Sequence, residues 1–182
     1  MTLAFAGCGG GDGGQSAGEL SGPTSSVAPT GTAAPEGPAP STPQPEPDVP
    51  AVEVVLLASG STVDLQSLAE PGRPTLLWFW APHCTFCRLE APELLEFATQ
   101  HGNDVDILGI GAQDSLDQAH GFLEETRTAG LRMVWDPSGR SWVHYGVTSQ
   151  PTVIVLGADG QVAGSWFREF APNEILAAAG VA

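Results

Sequence analysis

The 182-residue chain predicts a single α/β domain, a mixed central sheet flanked by helices, behind a long tail that has no core of its own. Three observations carry this reading. Of thirteen aromatic residues, only Phe5 precedes Trp78. Residues 9–50 hold nine Gly and nine Pro, no aromatics, and only Leu20, Val27 and Val49 as larger aliphatics, so burial there cannot offset the entropy of ordering. From residue 51 onward, short apolar runs alternate with stretches of helical period. Residues 51–182 are therefore read as the folded domain and 9–50 as a disordered Gly/Pro/Ser/Thr-rich tether.

The elements follow in order. Val52–Leu57 and Thr62–Leu65, turning at Gly60, read as an N-terminal β-hairpin. Pro71, Gly72 and Pro74 punctuate the loop after Leu68. Thr75–Trp80 is apolar throughout but for its first residue, as in a strand covered on both faces. A helix is expected from about Thr85 to Gln100, with Leu89, Leu94, Leu95 and Phe97 on its apolar side and a kink at Pro92. Val105–Ile110 predicts a second buried strand. Asp114 or Ser115 then caps a helix reaching about Arg127, with Leu116, Ala119, Phe122 and Leu123 inward. Leu131–Trp135 predicts a strand, Ser138–Tyr145 a short helix, and Thr152–Leu156 an apolar strand. Ala158-Asp159-Gly160 turns that strand into another, Gln161–Phe167, and a last helix is capped at Pro172-Asn173. Strands alternating with helices place helices on both faces of the sheet.

Charge narrows the partners. Six basic residues, all Arg, face 21 acids, and 16 of those acids lie in residues 51–182 with all six Arg, a formal charge of −10 for the domain. No stretch concentrates Arg, so the electrostatic footprint for nucleic acid or an anionic membrane is missing. There is no run of 18 apolar residues that reads as a spanning helix.

Chemistry concentrates in Trp78-Phe79-Trp80-Ala81-Pro82-His83-Cys84-Thr85-Phe86-Cys87. A buried strand leaves the sheet through a short loop, and Cys84 lands where a helix begins. Free N–H groups and the helix dipole at that end favour a thiolate, the attacking species. Cys87 lies one helical turn further, near enough to resolve a mixed disulfide. A structural zinc site needs four ligands, and His101, His120 and His144 lack the spacing, so no metal or other cofactor is expected. An inert structural disulfide in a non-catalytic binding protein stays open as an alternative, although so short a loop contributes little entropy. A thiol peroxidase of similar fold is the lesser alternative, since its usual Thr three residues before the cysteine is Ala81 here.

Trp80-Ala81-Pro82-His83-Cys84-Thr85-Phe86-Cys87, followed by Pro92, resembles the active-site segment of the thioredoxin superfamily. Val147-Thr148-Ser149-Gln150-Pro151-Thr152 resembles its second signature, a loop carrying a cis proline. Over residues 52–180 the chain is most similar to the TlpA-like, ResA-like and DsbE-like extracytoplasmic group, including its secreted actinobacterial members. The resemblance implies a thioredoxin fold with an N-terminal β-hairpin and an extra strand–helix insertion around residues 105–127. It further implies a thiol–disulfide oxidoreductase acting on protein disulfides or dithiols, exported proteins or apocytochrome c, in exchange with a membrane redox partner. Pro151 would face the redox pair, Gln150 would pair its backbone with an extended substrate, and Phe86 and Trp80 would touch substrate. Glu90, three residues after Cys87, would accept its proton, a solvated helix acid being the other reading. Two positions depart from the pattern. Trp78 stands where thioredoxin has a buried Asp, and His83 stands where a Trp is common; an imidazolium there would favour the Cys84 thiolate.

Residues 1–8, Met1 to Cys8, resemble a truncated signal segment ending in the cleavage box of bacterial lipoproteins, which makes Cys8 the expected lipidation site. Phe5 replaces the usual Leu, and neither a basic region nor a full apolar stretch precedes it, so the expected true start lies upstream of Met1. A lipid-anchored, extracytoplasmic domain needs a spacer, and the 42 residues after Cys8 have a coil span of roughly 35 Å.

Overall fold

Residues 46–70 and 72–181 are described by the computed structural model; the Cys8 segment and the tether up to residue 45 lie outside the described residues. Two short strands, β1 (Glu53–Leu56) and β2 (Thr62–Asp64), form the antiparallel hairpin. A 3-10 turn over Leu65–Leu68, capped by Asp64, takes Leu65 out of the expected strand and leads into the loop that starts at Leu68. Then follow β3 (Thr75–Trp80), α1 (Thr85–His101), β4 (Asp106–Gly111), α2 (Leu116–Thr126), β5 (Arg132–Trp135) and α3 (Arg140–His144). The chain closes with β6 (Thr152–Leu156), β7 (Val162–Phe167) and α4 (Pro172–Ala179).

The seven strands make one sheet in the order β2-β1-β5-β4-β3-β6-β7. The three central strands β5, β4 and β3 are parallel; β1 and β6 pair antiparallel on either side of them, and β2 and β7 complete the two flanking antiparallel pairs. Side chains of β3 alternate between two covered faces. Trp78 and Trp80 pack on Phe122 of α2, with Trp80 stacked at 4.4 Å between ring centroids. Phe79 points the other way and meets Trp142 and Tyr145 at the α3 side, edge-on. Every residue of β3 is buried as a result. Gly111 of β4 is required by this packing, because a Cβ there would stand 2.5 Å from the Trp80 ring.

Local details depart from the sequence pattern in ways that matter for the site. Helix α1 runs unbroken through Pro92, and its buried side is Cys87, Glu90, Ala91, Leu94 and Phe97. Leu89, expected on the apolar face, is exposed instead. Ser115 caps α2 in a reciprocal capping box with Gln118, which leaves Asp114 free for another role. Ala171, not Asn173, is the N-cap of α4, and Pro172 takes the first helical turn.

The ordered chain also begins earlier than residue 51. Val49 is buried. The Asp48 N–H donates to the Gly160 carbonyl at 2.8 Å, and its own carbonyl accepts from the Tyr145 hydroxyl. Its carboxylate meets His144 Nε2 at 2.8 Å. These contacts bind the last residues of the composition-defined tether to the turn between β6 and β7 and to α3. At the end of β5, the Asp136 carboxylate accepts from Ser138, Gly139 and Ser141, tying the start of α3 to the sheet.

Candidate active site

β3 ends at Trp80, and Ala81-Pro82-His83 carry the chain to Cys84, the N-cap of α1. Cys84 Sγ accepts the backbone N–H of Cys87 at 2.9 Å. The two cysteines form a disulfide with Cα atoms 5.3 Å apart. Exposure distinguishes them: Cys84 is 5% exposed and Cys87 0%. An incoming sulfur therefore reaches Cys84, and Cys87 is met only from within.

The register of β3 against β6 sets Phe79 opposite Thr152, so the loop ending at Pro151 lies at the same end of the sheet as the loop leading to Cys84. The Gln150–Pro151 peptide is cis. His83 ties the two loops together. Its backbone N–H donates to Asp114 Oδ2 at 3.0 Å, and its Nδ1 lies 2.7 Å from the same oxygen. A proton on Nδ1 faces the carboxylate and leaves Nε2 as an acceptor for the Gln150 amide N–H, 2.9 Å away. The imidazole is thus held in a chain from the loop after β4 to the cis-proline loop.

Glu90 lies one turn beyond Cys87 on the buried side of α1 and is itself only 8% exposed. Its Oε1 accepts the Trp78 indole N–H at 2.7 Å. Burial pushes the carboxyl up to about 7; the Trp78 hydrogen bond works against that rise and the nearby Glu93 charge adds to it. A carboxyl poised near neutrality beside a buried cysteine can give or take a proton at ordinary pH. Of the two sequence readings, the solvated helix acid is excluded by this burial.

On the other side of the pair, Phe86 is 49% exposed, and the Arg168 guanidinium stands 4.3 Å from its ring centroid. Arg168 follows β7 with a left-handed backbone, φ 55°, and donates its N–H to the Pro151 carbonyl at 3.0 Å. Cys84, Cys87, Glu90, His83, Phe86, Gln150 and Pro151 accordingly gather at one end of the sheet. Trp80 does not join them. It is fully buried and stacked on Phe122, so the expectation that it touches substrate is corrected. Sequence reading missed Asp114 and Arg168. Asp114 carried a signal, since it follows the carboxyl end of a parallel strand, where α/β sites collect. Arg168 carried none.

The protein-family model described as AhpC/TSA matches residues 45–165, about two-thirds of the chain. The chain belongs to the AhpC/TSA family. Within its reach, the soluble secreted antigen MPT53 of Mycobacterium tuberculosis is 33% identical over 102 residues, covering 56% of this chain and 57% of the relative. The thiol:disulfide interchange protein HelX of Rhodobacter capsulatus is 34% identical over 91 residues, half of each chain. The DsbE homolog of Paracoccus denitrificans is 29% identical over 133 residues, 71% of this chain and 72% of that one. The chain thus spans little more than half the length of the first of these curated relatives. Among solved structures, MTB DsbF in mixed oxidized and reduced forms superposes with a TM-score of 0.62 at 27% identity, over 72% of this chain and 97% of that one. A secreted Mycobacterium tuberculosis disulfide oxidoreductase homologous to E. coli DsbE gives 0.60 at 27% identity, over 72% and 96%. This AhpC/TSA member has the thioredoxin fold with its N-terminal hairpin and the strand–helix insertion β4–α2.

Proposed function

We propose that the chain is a protein thiol–disulfide oxidoreductase working outside the cytoplasm, with Cys84 as nucleophile and Cys87 as resolving thiol. The observation that carries the reading is the pair itself: Cys84 Sγ caps a helix and accepts a backbone N–H, and Cys87 is sealed behind it. In the reducing direction, the Cys84 thiolate attacks one sulfur of a substrate disulfide and expels the other as thiolate. Glu90 takes the proton of Cys87, which then attacks Cys84 Sγ. That step releases the second substrate sulfur and leaves the Cys84–Cys87 disulfide, so two electrons pass to the substrate. The oxidising direction is the same path reversed. His83 fixes the loop before Cys84, and the backbone of Gln150, ahead of the cis Pro151, is the edge offered to an extended substrate.

The names of the relatives, soluble secreted antigen and thiol:disulfide interchange protein, support an exported polypeptide as substrate; apocytochrome c as one such chain and a membrane redox partner as the opposite terminus extend that reading. Cys8, after Ala6-Gly7 and before a Gly-rich spacer, is the proposed lipid acceptor.

Redox titration of the pair in glutathione buffers, together with insulin reduction, tests the activity. A potential of about −120 to −180 mV marks an oxidant or isomerase and a value near that of thioredoxin a reductase; a value below about −300 mV without insulin reduction refutes the enzyme reading. Cys87→Ser in the reduced protein should trap a mixed disulfide on Cys84, visible as an adduct by mass spectrometry. Mass spectrometry of the mature protein decides Cys8.

A further inference from the structure

The rim of the redox pair is uneven. On the His83 side, polar groups are already bonded to one another: Asp114 to His83, and His83 to Gln150. On the Phe86 side they are not. Phe86 is 49% and Phe167 51% exposed, and Leu89, one turn from Phe86 along α1, is more exposed still. The Arg168 guanidinium sits over this apolar group, 4.3 Å from the Phe86 ring and 5.1 Å from the Phe167 ring.

Arg168 is set apart by what it lies on: of Arg73, Arg127, Arg140 and Arg168, which have no acidic partner within 4 Å among the described residues, it alone stacks on exposed aromatic rings. Arg88 pairs with Glu125, Arg132 with Asp106 and Glu70, and Arg73 donates to the Gly102 carbonyl. Arg168 has no acidic partner within 4 Å among the described residues, although the domain carries 16 acids and Glu169 is its neighbour in sequence. Stacking holds it in place without neutralising it, and a guanidinium on an aromatic face keeps its N–H edge available to a carboxylate. Its main chain is fixed as well, through the N–H bond to the Pro151 carbonyl. Arg168 thus touches both active-site segments, the Cys84–Cys87 turn through its guanidinium and the cis-proline loop through its main chain.

We infer that Arg168, with Phe86 and Phe167, forms a specificity-determining surface that selects substrate segments carrying an Asp or Glu close to the reacting cysteine. The inference rests on the oxidoreductase reading and names the substrate class for that same site. An extended segment exchanging at Cys84 lays its flanking side chains over the rim. On the Phe86 side they meet two aromatic rings and one uncompensated positive charge on an otherwise acidic surface. An apolar side chain covers the rings, and a carboxylate accepts from the guanidinium; a lysine there is repelled. Beyond a Debye length of roughly 8 Å the domain's own negative charge is screened, so the local cation decides.

Three oxidised peptides, identical except for Asp, Asn or Lys two residues from the reacting cysteine, test this against the reduced protein. The readout is the second-order rate constant for oxidation of the Cys84/Cys87 pair. In the unmodified protein the Asp peptide should react about fivefold faster than the Lys peptide, with Asn between, in keeping with an exposed ion pair. The preference should disappear in Arg168→Ala, invert in Arg168→Glu, persist in part in Arg168→Lys, and shrink as salt rises from about 0.05 to 0.5 M. Equal rates for the three peptides overturn the inference, as does an Arg168→Ala variant that slows all three by one factor and keeps their ratios. If no peptide reacts with the unmodified protein, the oxidoreductase reading itself falls and takes the inference with it.

Discussion

Glu90→Gln measures the proton chemistry of the site as a stability. The Glu90 carboxyl titrates at about 7 in the folded protein against 4.5 in a free side chain. Between those values the folded state holds a proton that the unfolded chain has released. Stability contributed at this position is therefore intact below about pH 4.5, falls as pH rises through that interval, and is fully lost above about pH 7. At about 1.4 kcal/mol per unit, the loss reaches about 3 kcal/mol. Gln keeps the shape and an oxygen for the Trp78 indole but carries no charge. The variant should match the parent near pH 4.5 and exceed it by about 2–3 kcal/mol at about pH 8. Urea unfolding of the oxidised protein at steps across this range gives the difference directly, since every other titrating group is common to both. A difference that does not change with pH, or a variant less stable at about pH 8, refutes the argument that Glu90 is a buried, raised carboxyl. In the reduced protein the same substitution should slow resolution of the mixed disulfide while leaving attack by Cys84 in place, a split that stopped-flow measurement separates.

Other substitutions probe the supports. Trp78→Phe removes the donor that favours the Glu90 carboxylate; the lost bond should cost about 1.5–3 kcal/mol at about pH 8, less at low pH, and a cycle with Glu90→Gln isolates it from the ring's packing. Asp136→Asn should cost about 2–3 kcal/mol at neutral pH by turning an amide toward N–H donors. Burial alone would raise the Asp136 carboxyl, but the donors of Ser138 and Ser141 outweigh it and hold it below 3.8. Its contribution is therefore present above that value and lost as pH falls through the lower folded one, so denaturation curves of parent and variant should converge in strong acid. Asp114→Ala removes both contacts to His83; global stability should move by no more than about 1 kcal/mol, while the His83 amide exchanges with deuterium about fivefold faster.

Much of this was legible because the relevant forces are local in sequence. The run Thr75–Trp80 announced a strand buried on both faces, and the spacing of Cys84 and Cys87 announced a helix N-terminus with two sulfurs on one turn. Leu89 and Glu90 show where hydrophobicity misleads. Residues 87, 90, 91, 94 and 97 form the inward stripe, and reading Cys87 as its first member would have placed Glu90 inside and Leu89 out. Burying Glu90 required a donor from another element, the Trp78 indole twelve residues earlier, and no periodicity reports such a pairing. Asp114, Arg168 and Asp48 gain their roles from residues 31, 17 and 97 positions away, contacts that exist only once the sheet order is set.

The grip of Asp48 on Gly160 has a mechanical consequence. β6 starts beside Pro151 and ends five residues later, so a strand length of roughly 17 Å separates the cis-proline loop from the end of the sheet that carries the Gly160 turn. Any load carried by the preceding chain enters the domain there, through the Gly160 and Tyr145 bonds, and not through α1 or the cis-proline loop. A pull transmitted through residue 46 is met at that end of the sheet, and the contacts around the Cys84–Cys87 disulfide take no part in bearing it.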